Sequence, residues 1–440
     1  MKKIVSRFAP SPTGLGHSGN YRTAIFAYLF AKHSDGSFIV RIEDTDVTRS
    51  KKEYETNILE MLEWLELRAD KIYIQSEHRA RHRELLEKLV ADNTAYISKE
   101  TPEKPGDREE VIRFRNPGGT RTFIDVIHGE IKTDVSDLGD FIIARSFDEP
   151  VFHFAVVVDD ADEEVTHIIR GGDHISNTAR QMLIREALGF PEPLYAHLPL
   201  IMDSSHKKLG KRNGAKAMSE YRDMGILPEA MLNYVAFLGW NPGDEREYLS
   251  RDELIKIFDI SRVQKGSAIF DETKLLSVNQ HWMRELPDDE FLAHLDTKQK
   301  ISNKIIPLLK ERTKTFKEAS EMLSGELSCL FNEPILDRNQ LLTKELPERQ
   351  NMTKLALEGL FEPLKALQEG VSAEEVKGVI MPFADAEEAK GNGGRGAVLW
   401  PLRYALSGQE RSPDPFTLIS ILGKEETISR IHRAIAILEK

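Results

Sequence analysis

The order of apolar and polar positions near the start of the chain alternates between the patterns of a strand and of a helix. Residues 4–8 form a short apolar run that ends in a Pro- and Gly-rich stretch, which predicts a strand followed by a loop. Apolar residues recur at helical spacing over 21–29, and both patterns repeat over 37–42 and 54–65. Strand, helix, strand, helix predicts a parallel α/β sheet of the Rossmann type.

The pattern changes after residue 72. Between 73 and 174 the apolar runs are short and separated by Gly, Pro and Asp turns, which predicts a β-rich insertion with 152–158 as one of its strands. Helical spacing returns over 177–188, and nearly every segment from about 300 to the end is helical. The predicted fold class is an α/β Rossmann-type domain with a β-rich insertion, followed by an all-α C-terminal region.

The length and composition indicate a globular protein of several domains. The chain has 440 residues, more than one hydrophobic core normally supports, so we expect two to four domains. No stretch approaches the ~20 apolar residues of a membrane span. The N-terminus turns polar at Ser6, which is too early for a secretory signal. We therefore expect a soluble, cytoplasmic protein.

The chain contains one cysteine, Cys329. A single cysteine excludes an internal disulfide and a multi-cysteine zinc site. Free cysteines are usually buried, so we predict that Cys329 is a small apolar core residue.

The net charge of −12, taken alone, argues against nucleic-acid binding, because Lys and Arg make the contacts to phosphate. The distribution of charge changes that picture. Residues 1–52 contain nine Lys and Arg against four Asp and Glu, and residues 201–216 contain five against one. Basic charge concentrated in this way is compatible with focused anion binding.

The loop after the first strand has the G-x-G-x-x-G spacing of a dinucleotide site, at residues 14–19. Taken literally it indicates an NAD-dependent dehydrogenase. Pro10 and Pro12 make the connection longer than the tight βα turn that a pyrophosphate site needs, so this interpretation is the weaker one. The same spacing at 391–396 follows an acidic helical stretch and indicates a loop.

Five motifs follow one another over the first half of the chain. They are RFAPSPTG at 7–14 with HSGN at 17–20, RIEDTD at 41–46, VVVDD at 156–160, IRGGDH at 169–174 and KLGKR at 208–212. In order and approximate spacing this set resembles the signatures of glutamyl-tRNA synthetases, which are class I aminoacyl-tRNA synthetases. In the tail, LKER at 309–312 and WPLRYALSG at 400–408 are similar to bacterial members.

The resemblance implies a monomeric ligase that uses ATP to activate L-glutamate and transfers it to the 3′-terminal ribose of tRNA(Glu). It also implies that activation waits for the tRNA to bind. The implied division of the chain is a discontinuous catalytic domain at 1–72 and 175–215, an acceptor-arm-binding insertion at 73–174, a stem-contact region at 216–300 and a helical anticodon-binding domain at 301–440.

Activation of an amino acid develops charge on phosphate oxygens, so the site needs positioned donors and cations more than a nucleophile of its own. His17 stands where a helix is predicted to begin, and helix N-termini attract phosphate. The resemblance implies catalytic roles for His17, Lys208 and Lys211, and ATP contacts for these three with Gly19, Asp173 and Arg212. Gly210 replaces the usual serine of the family, which removes one hydroxyl donor.

Glutamate carries two carboxylates and an ammonium, so its pocket should combine guanidinium groups with an acid. Arg7 and Arg170 are the candidate guanidinium groups, and Glu43 is the candidate acid. The resemblance adds Ala9, Ser11 and Phe152 to the glutamate-binding set. Because Phe152 takes the place of a tyrosine, we expect one hydroxyl contact to be missing.

Two features have simpler interpretations. Asp173 could cap the following helix through Ser176 or Asn177 instead of contacting ATP. Its neighbour Gly172 departs from the family pattern, which often has a glutamate at that position. The acidic residues between 159 and 164 could suggest a metal site, but we interpret them as a solvated turn.

We predict no metal held by the protein. Mg²⁺ should arrive with ATP, bound largely by phosphates and water. Zinc is predicted to be absent, because the stretch 96–99, where some family members carry zinc-binding cysteines, has none.

Three further functions stay open. A helical tail disfavours a glutaminyl-tRNA synthetase, whose anticodon domain is usually β-rich, and it also disfavours the shortened relative that glutamylates a modified tRNA base. Departures from the motifs at Gly172 and Gly210 suggest a catalytically silent tRNA-binding paralogue. The other signature residues, from His17 to Lys211, argue against that alternative.

Overall fold

The computed structural model describes residues 3–46, 48–101, 109–210, 214–342, 350–391 and 394–440. The chain divides into two compact units, residues 1–282 and 283–440. Within the described ranges, none of the helices combines the length and the apolar character that a membrane span requires.

A seven-stranded sheet forms the centre of the first unit. Its strands run in the order β3 (Lys71–Ile74), β2 (Ser37–Ile42), β1 (Val5–Phe8), β10 (His167–Gly171), β11 (Leu194–Leu198), β6 (Thr120–Asp125) and β7 (Gly129–Asp134). Each strand is parallel to its neighbour except β7, which pairs antiparallel with β6. The predicted parallel sheet of the Rossmann type is confirmed.

Two smaller sheets contain the other described strands of this unit. An antiparallel sheet contains β4 (Ala95–Lys99), β5 (Glu110–Phe114), β8 (Phe141–Ser146) and β9 (Glu149–Pro150). A parallel pair contains β12 (Ile201–Met202) and β13 (Ala268–Ile269). The stretch predicted as a β-rich insertion therefore supplies the antiparallel sheet, and it also supplies three strands of the large sheet, namely β6, β7 and β10.

Nine α-helices are described up to residue 285. They are α1 (Ser18–His33), α2 (Lys52–Trp64), α3 (Arg79–Ala91), α4 (Phe152–Asp162), α5 (Ile175–Leu188), α6 (Met218–Asp223), α7 (Pro228–Ala236), α8 (Arg251–Ile257) and α9 (Glu272–Glu285). The helices predicted over 21–29, 54–65 and 177–188 correspond to α1, α2 and α5.

The strand predicted at 152–158 is wrong, because these residues lie in α4. Every residue from 154 to 160 is buried, so no polar face marks the helical period. The three consecutive valines at 156–158 have a preference for strands that tertiary packing overrides here.

The second unit is helical, as predicted. In the part that the structure describes, its helices are α10 (Asp288–Ala293), α11 (Ile306–Arg312), α12 (Phe316–Ser324), α13 (Arg338–Leu341), α14 (Gln350–Gly359), α15 (Phe361–Lys365), α16 (Ala373–Ala389), α17 (Gly396–Ser407) and α18 (Pro415–Leu438). Leu357, Ile380, Leu402 and Ile431 are among the fully buried residues of its core. Cys329 also lies in this core, which confirms that prediction. The glycine-rich match at 391–396 includes two residues, 392 and 393, outside the described ranges.

A buried group of charges joins β2 to α4. Arg41 of β2 is fully buried and contacts four carboxylates, namely Glu43 at 3.2 Å, Asp159 at 3.8 Å, Asp160 at 2.9 Å and Glu163 at 2.6 Å. Asp159 also accepts hydrogen bonds from His82 and Gln75 at 2.6 and 2.7 Å.

The interpretation of 159–164 as a solvated turn is therefore wrong for its main members. Asp159, Asp160 and Glu163 are buried, and they face a fixed cation. Burial of so many carboxylates is tolerable only because Arg41 compensates their charge at close range.

Replacement of Arg41 by methionine should destabilise the first unit by about 3–5 kcal/mol, because the buried carboxylates lose their counter-charge. Urea-dependent hydrogen exchange of the β1 and β2 amides measures this change. The matched control is Arg49→Met, since Arg49 pairs with Asp46 at 2.7 Å but is 71% exposed, and its loss should cost at most about 1 kcal/mol. Equal stability of the two variants would contradict the assignment.

Candidate active site

A cavity of about 610 Å³ opens at the carboxyl ends of β1, β2 and β10, beside the N-terminus of α1. This edge of an open parallel sheet is where α/β proteins bind ligands. All the predicted site residues that the structure describes line the cavity, namely Arg7, Ala9, Ser11, His17, Gly19, Glu43, Phe152, Arg170, Asp173 and Lys208. Lys211 and Arg212 lie outside the described residues.

Backbone hydrogen bonds fix the proline-rich loop after β1. The Glu43 amide donates to the Pro10 carbonyl at 2.9 Å, and the Lys51 amide donates to the Pro12 carbonyl at 3.0 Å. The loop is therefore attached to the segment that follows β2. This attachment brings Ser11 and Glu43, which are distant in sequence, to one cavity.

His17 is the N-cap residue of α1. Its Nδ1 accepts a hydrogen bond from the Gly19 amide at 3.1 Å, so a neutral ring carries its proton on Nε2 and can donate from that atom. A Cβ on Gly19 would lie 2.8 Å from Cε1 of His17. Glycine at this position therefore leaves the space that the imidazole occupies at the helix N-terminus.

Asp173 and Lys208 form an ion pair at the rim of the cavity, with 2.8 Å between Oδ2 and Nζ. Burial tends to raise the pKa of Asp173, but the Lys208 ammonium outweighs it and the net shift is downward. The alternative role of Asp173 as a helix cap is not supported, since the N-cap of α5 is His174 and has no side-chain cap hydrogen bond.

The two glycines that depart from the family pattern differ in their surroundings. A Cβ on Gly172 would lie 3.0 Å from the Leu198 carbonyl oxygen, so a larger residue there would require the backbone of β11 to shift. A Cβ on Gly210 would meet no atom within 4 Å. The space around Gly210 would accommodate a serine.

The two predicted guanidinium groups have different partners. Arg7 is 3% exposed and pairs with Asp160, with Nε 3.0 Å and Nη2 3.4 Å from its carboxylate oxygens. Burial tends to raise the pKa of Asp160, but Arg7 and Arg41 outweigh it and hold the carboxyl ionised. The charge of Arg7 is thus compensated within the protein.

Arg170 has only neutral hydrogen-bond partners in the described structure. Its Nε donates to His197 at 3.1 Å, Nη1 to Gln181 at 2.8 Å and Nη2 to Thr178 at 2.9 Å. Burial lowers the pKa of Arg170 to about 10, so the group stays charged at neutral pH. In the part of the chain that the structure describes, the cavity therefore contains a buried cation without a carboxylate in direct contact.

Glu43 lines the same cavity, is 5% exposed and contacts Arg41 at 3.2 Å. Burial raises the pKa of its carboxyl to about 7, against the opposing effect of Arg41 and Arg7. Phe152 is 37% exposed and contacts the rings of His153 and His174. Its ring presents no hydroxyl to the cavity, as expected from the sequence.

Sequence reasoning assigned no role to Arg41, Asp160 or His197. Each stands in or directly after an apolar run, SFIVRI at 37–42, VVVDD at 156–160 and LYAHL at 194–198. A charged or polar residue within such a run is informative, because it must find partners when the run is buried. That signal was present in all three segments.

No group of three or more His, Cys, Asp or Glu side chains within the described ranges is arranged to hold a metal ion. The acidic residues that cluster around Arg41 form ion pairs with that arginine. The predictions about zinc and about Mg²⁺ stay predictions.

Comparison with family models defines the class of protein. The model described as "tRNA synthetases class I (E and Q), catalytic domain" matches residues 3–107 and 104–277. The model described as "Anticodon binding domain" matches residues 276–435. Together with the parallel sheet and the cavity at its carboxyl edge, these matches define a class I aminoacyl-tRNA synthetase.

Comparison with individual relatives identifies the family within this class. The chain is 39% identical to the glutamate–tRNA ligase of Aquifex aeolicus over 99% of both chains, and 37% identical to glutamate–tRNA ligase 2 of Coxiella burnetii over 100% of this chain and 99% of the relative. A crystal structure of a glutamate tRNA ligase from Elizabethkingia meningosepticum in complex with its amino acid matches with a TM-score of 0.84 and 32% identity, over 99% of this chain and 100% of that chain. The chain belongs to the glutamate–tRNA ligase family.

Proposed function

We propose that this chain is a glutamate–tRNA ligase that forms glutamyl-adenylate from L-glutamate and ATP and transfers the glutamyl group to the 3′-terminal ribose of tRNA(Glu). The observation that carries the proposal is the charge of the cavity. Arg170 is buried and has no carboxylate hydrogen-bond partner among the described residues, and Glu43 lies in the same cavity. This arrangement is complementary to an amino acid with a carboxylate side chain.

The amino acid would bind to the charged and polar groups that line the cavity. Arg170 would bind a carboxylate bidentately, since the fork geometry of guanidinium matches that group. Arg7 lies in the same cavity and would contribute a second set of donors. Glu43 would accept the ammonium group, and the hydroxyl of Ser11, the backbone at Ala9 and the ring of Phe152 would complete the pocket.

ATP would lie beside the amino acid, between the N-terminus of α1 and the loop that contains Lys208. Attack of the glutamate α-carboxylate on the α-phosphorus forms the adenylate and releases pyrophosphate. His17 can donate from Nε2 to phosphate oxygens, and the helix N-terminus adds a favourable field. Lys208, Lys211 and Arg212 would supply cations, with Gly19 and Asp173 contacting the nucleotide. Mg²⁺ would enter as the ATP complex.

The remaining parts of the chain would bind the tRNA. We assign the acceptor arm to 73–174, inserted between the catalytic segments 1–72 and 175–215, the stem to 216–300 and the anticodon to 301–440. The anticodon-binding model over 276–435 supports the last assignment. We further propose that the enzyme is a cytoplasmic monomer and that activation waits for tRNA binding.

The direct test is charging of purified tRNA(Glu) and tRNA(Gln), in separate reactions, with labelled glutamate and ATP. We expect tRNA(Glu) to be charged, and charging of tRNA(Gln) as well would indicate a non-discriminating enzyme. A protein that binds tRNA(Glu) but charges neither tRNA would instead be the silent paralogue, and the proposal would fail.

The KM for glutamate should rise as the pH falls. Glu43 can bind the ammonium group only in its ionised form. With a pKa of about 7, the ionised fraction of Glu43 falls about tenfold from pH 8 to pH 6. We therefore expect the KM to rise about tenfold over this range, at saturating ATP and tRNA.

The matched variant is Glu43→Gln, which cannot titrate. Its KM should be high and nearly constant between pH 6 and pH 8. A wild-type KM that does not change over this range, or a Glu43→Gln variant that retains the wild-type pH profile, would remove Glu43 from the ammonium site.

A further inference from the structure

His197 is a fully buried histidine behind the cavity, on β11 between β10 and β6. Its Nδ1 lies 2.7 Å from Oδ2 of Asp125, and its backbone amide donates to the same oxygen at 3.0 Å. The other carboxylate oxygen of Asp125 accepts the amides of Ile127 and His128, each at 2.9 Å. Asp125 is therefore held by four hydrogen bonds, and its orientation fixes the imidazole.

The second ring nitrogen of His197 faces Arg170. Nε2 receives the Arg170 Nε–H at 3.1 Å and lies 3.2 Å from the Thr178 hydroxyl. An arginine Nε–H can only donate, so Nε2 must be unprotonated and Nδ1 must carry the proton that Asp125 accepts. Burial lowers the pKa of His197, which favours the same neutral form.

This arrangement orients a guanidinium without neutralising it. Arg7, by contrast, is held by a carboxylate, Asp160. Arg170 does not take its Nε hydrogen bond to a carboxylate. The neutral ring of His197 lies between the Arg170 guanidinium and the Asp125 carboxylate. Gln181 and Thr178, which hold the terminal nitrogens, are also neutral.

We propose that His197 is a positioning residue that fixes Arg170 through Nε while leaving its charge for the side-chain carboxylate of the amino acid. The proposal rests on the proposed function and deepens it, because it names a determinant of the preference for glutamate over the uncharged glutamine. Asp125 acts through His197, which it holds in the Nδ1–H tautomer.

Three variants test the proposal by charging of tRNA(Glu). His197→Leu removes the acceptor at similar volume, and loss of an acceptor for a buried charged donor should raise the KM for glutamate on the order of 10- to 100-fold. The KM for ATP should stay within about threefold. His197→Gln places an amide oxygen near the Nε2 position and should restore most of the glutamate KM. His128→Leu controls for local disturbance, since the His128 ring contacts the His197 carbonyl oxygen at 3.0 Å, while the His128 amide that donates to Asp125 belongs to the backbone and is kept in the variant.

The pattern of the results separates positioning from a structural role. A high glutamate KM in His197→Leu alone, with a reduced preference for glutamate over glutamine, supports the proposal. If His197→Leu retains the wild-type KM, or if the KM values for ATP and glutamate rise together in both His197 variants, the positioning role is overturned. Charging by the wild-type protein tests the proposed function separately.

The tautomer can be measured in the wild-type chain even if the leucine variant does not fold. Nitrogen NMR of ¹⁵N-histidine-labelled protein, with His197→Gln used for assignment, should show protonated Nδ1 and unprotonated Nε2 at neutral pH. A protonated Nε2 on His197 would overturn the proposal, because that atom could not accept from Arg170.

Discussion

The fit between Arg41 and the carboxylates around it is the interaction on which the rest of the site depends. The guanidinium of Arg41 is completely buried in β2, and four carboxylates approach it from the end of β2 and from the C-terminal half of α4 and its cap. Neither the cation nor the acids would be tolerated there alone. Their pairing attaches α4 to the central sheet at the edge where the cavity opens.

The same cluster determines which charged side chains of the cavity are paired within the protein. Asp160 is shared between Arg41 and Arg7, so Arg7 is compensated within the protein. Glu43 contacts the same network but lines the cavity, and its burial raises the pKa to about 7. Arg170 is excluded from the network and is held by neutral groups. Among the described residues, the cavity is therefore lined by a buried cation, Arg170, without a carboxylate in direct contact and by an acid, Glu43, with a raised pKa.

Much of the fold follows from local patterns in the sequence. Helices α1 and α2 and the helical tail have apolar residues at helical spacing, and β1 and β2 are short apolar runs that are almost entirely buried, as expected for strands of a parallel sheet. Helix α4 could not be recognised in this way, since it is buried on all sides over 154–160. The extension of the large sheet by β6 and β7 depends on long-range pairing, for example of Tyr195 with Asp125, which no local pattern specifies.

The motifs located the cavity, but they did not specify how its charges are paired. Arg7, Glu43 and Arg170 were chosen for their charge and their place in the motifs, and all three line the cavity. The difference between the two arginines depends on Asp160 and His197, which come from separate elements far along the chain. The roles of Lys211 and Arg212 stay predictions because the described residues do not include them.

The most direct test of this account is a crystal structure of the protein with L-glutamate. We expect the amino acid in the 610 Å³ cavity, with a carboxylate within hydrogen-bond distance of the Arg170 guanidinium and the ammonium group beside Glu43. Glutamate bound outside this cavity, or inside it without contact to Arg170, would contradict the assignment of that arginine as the cation reserved for substrate.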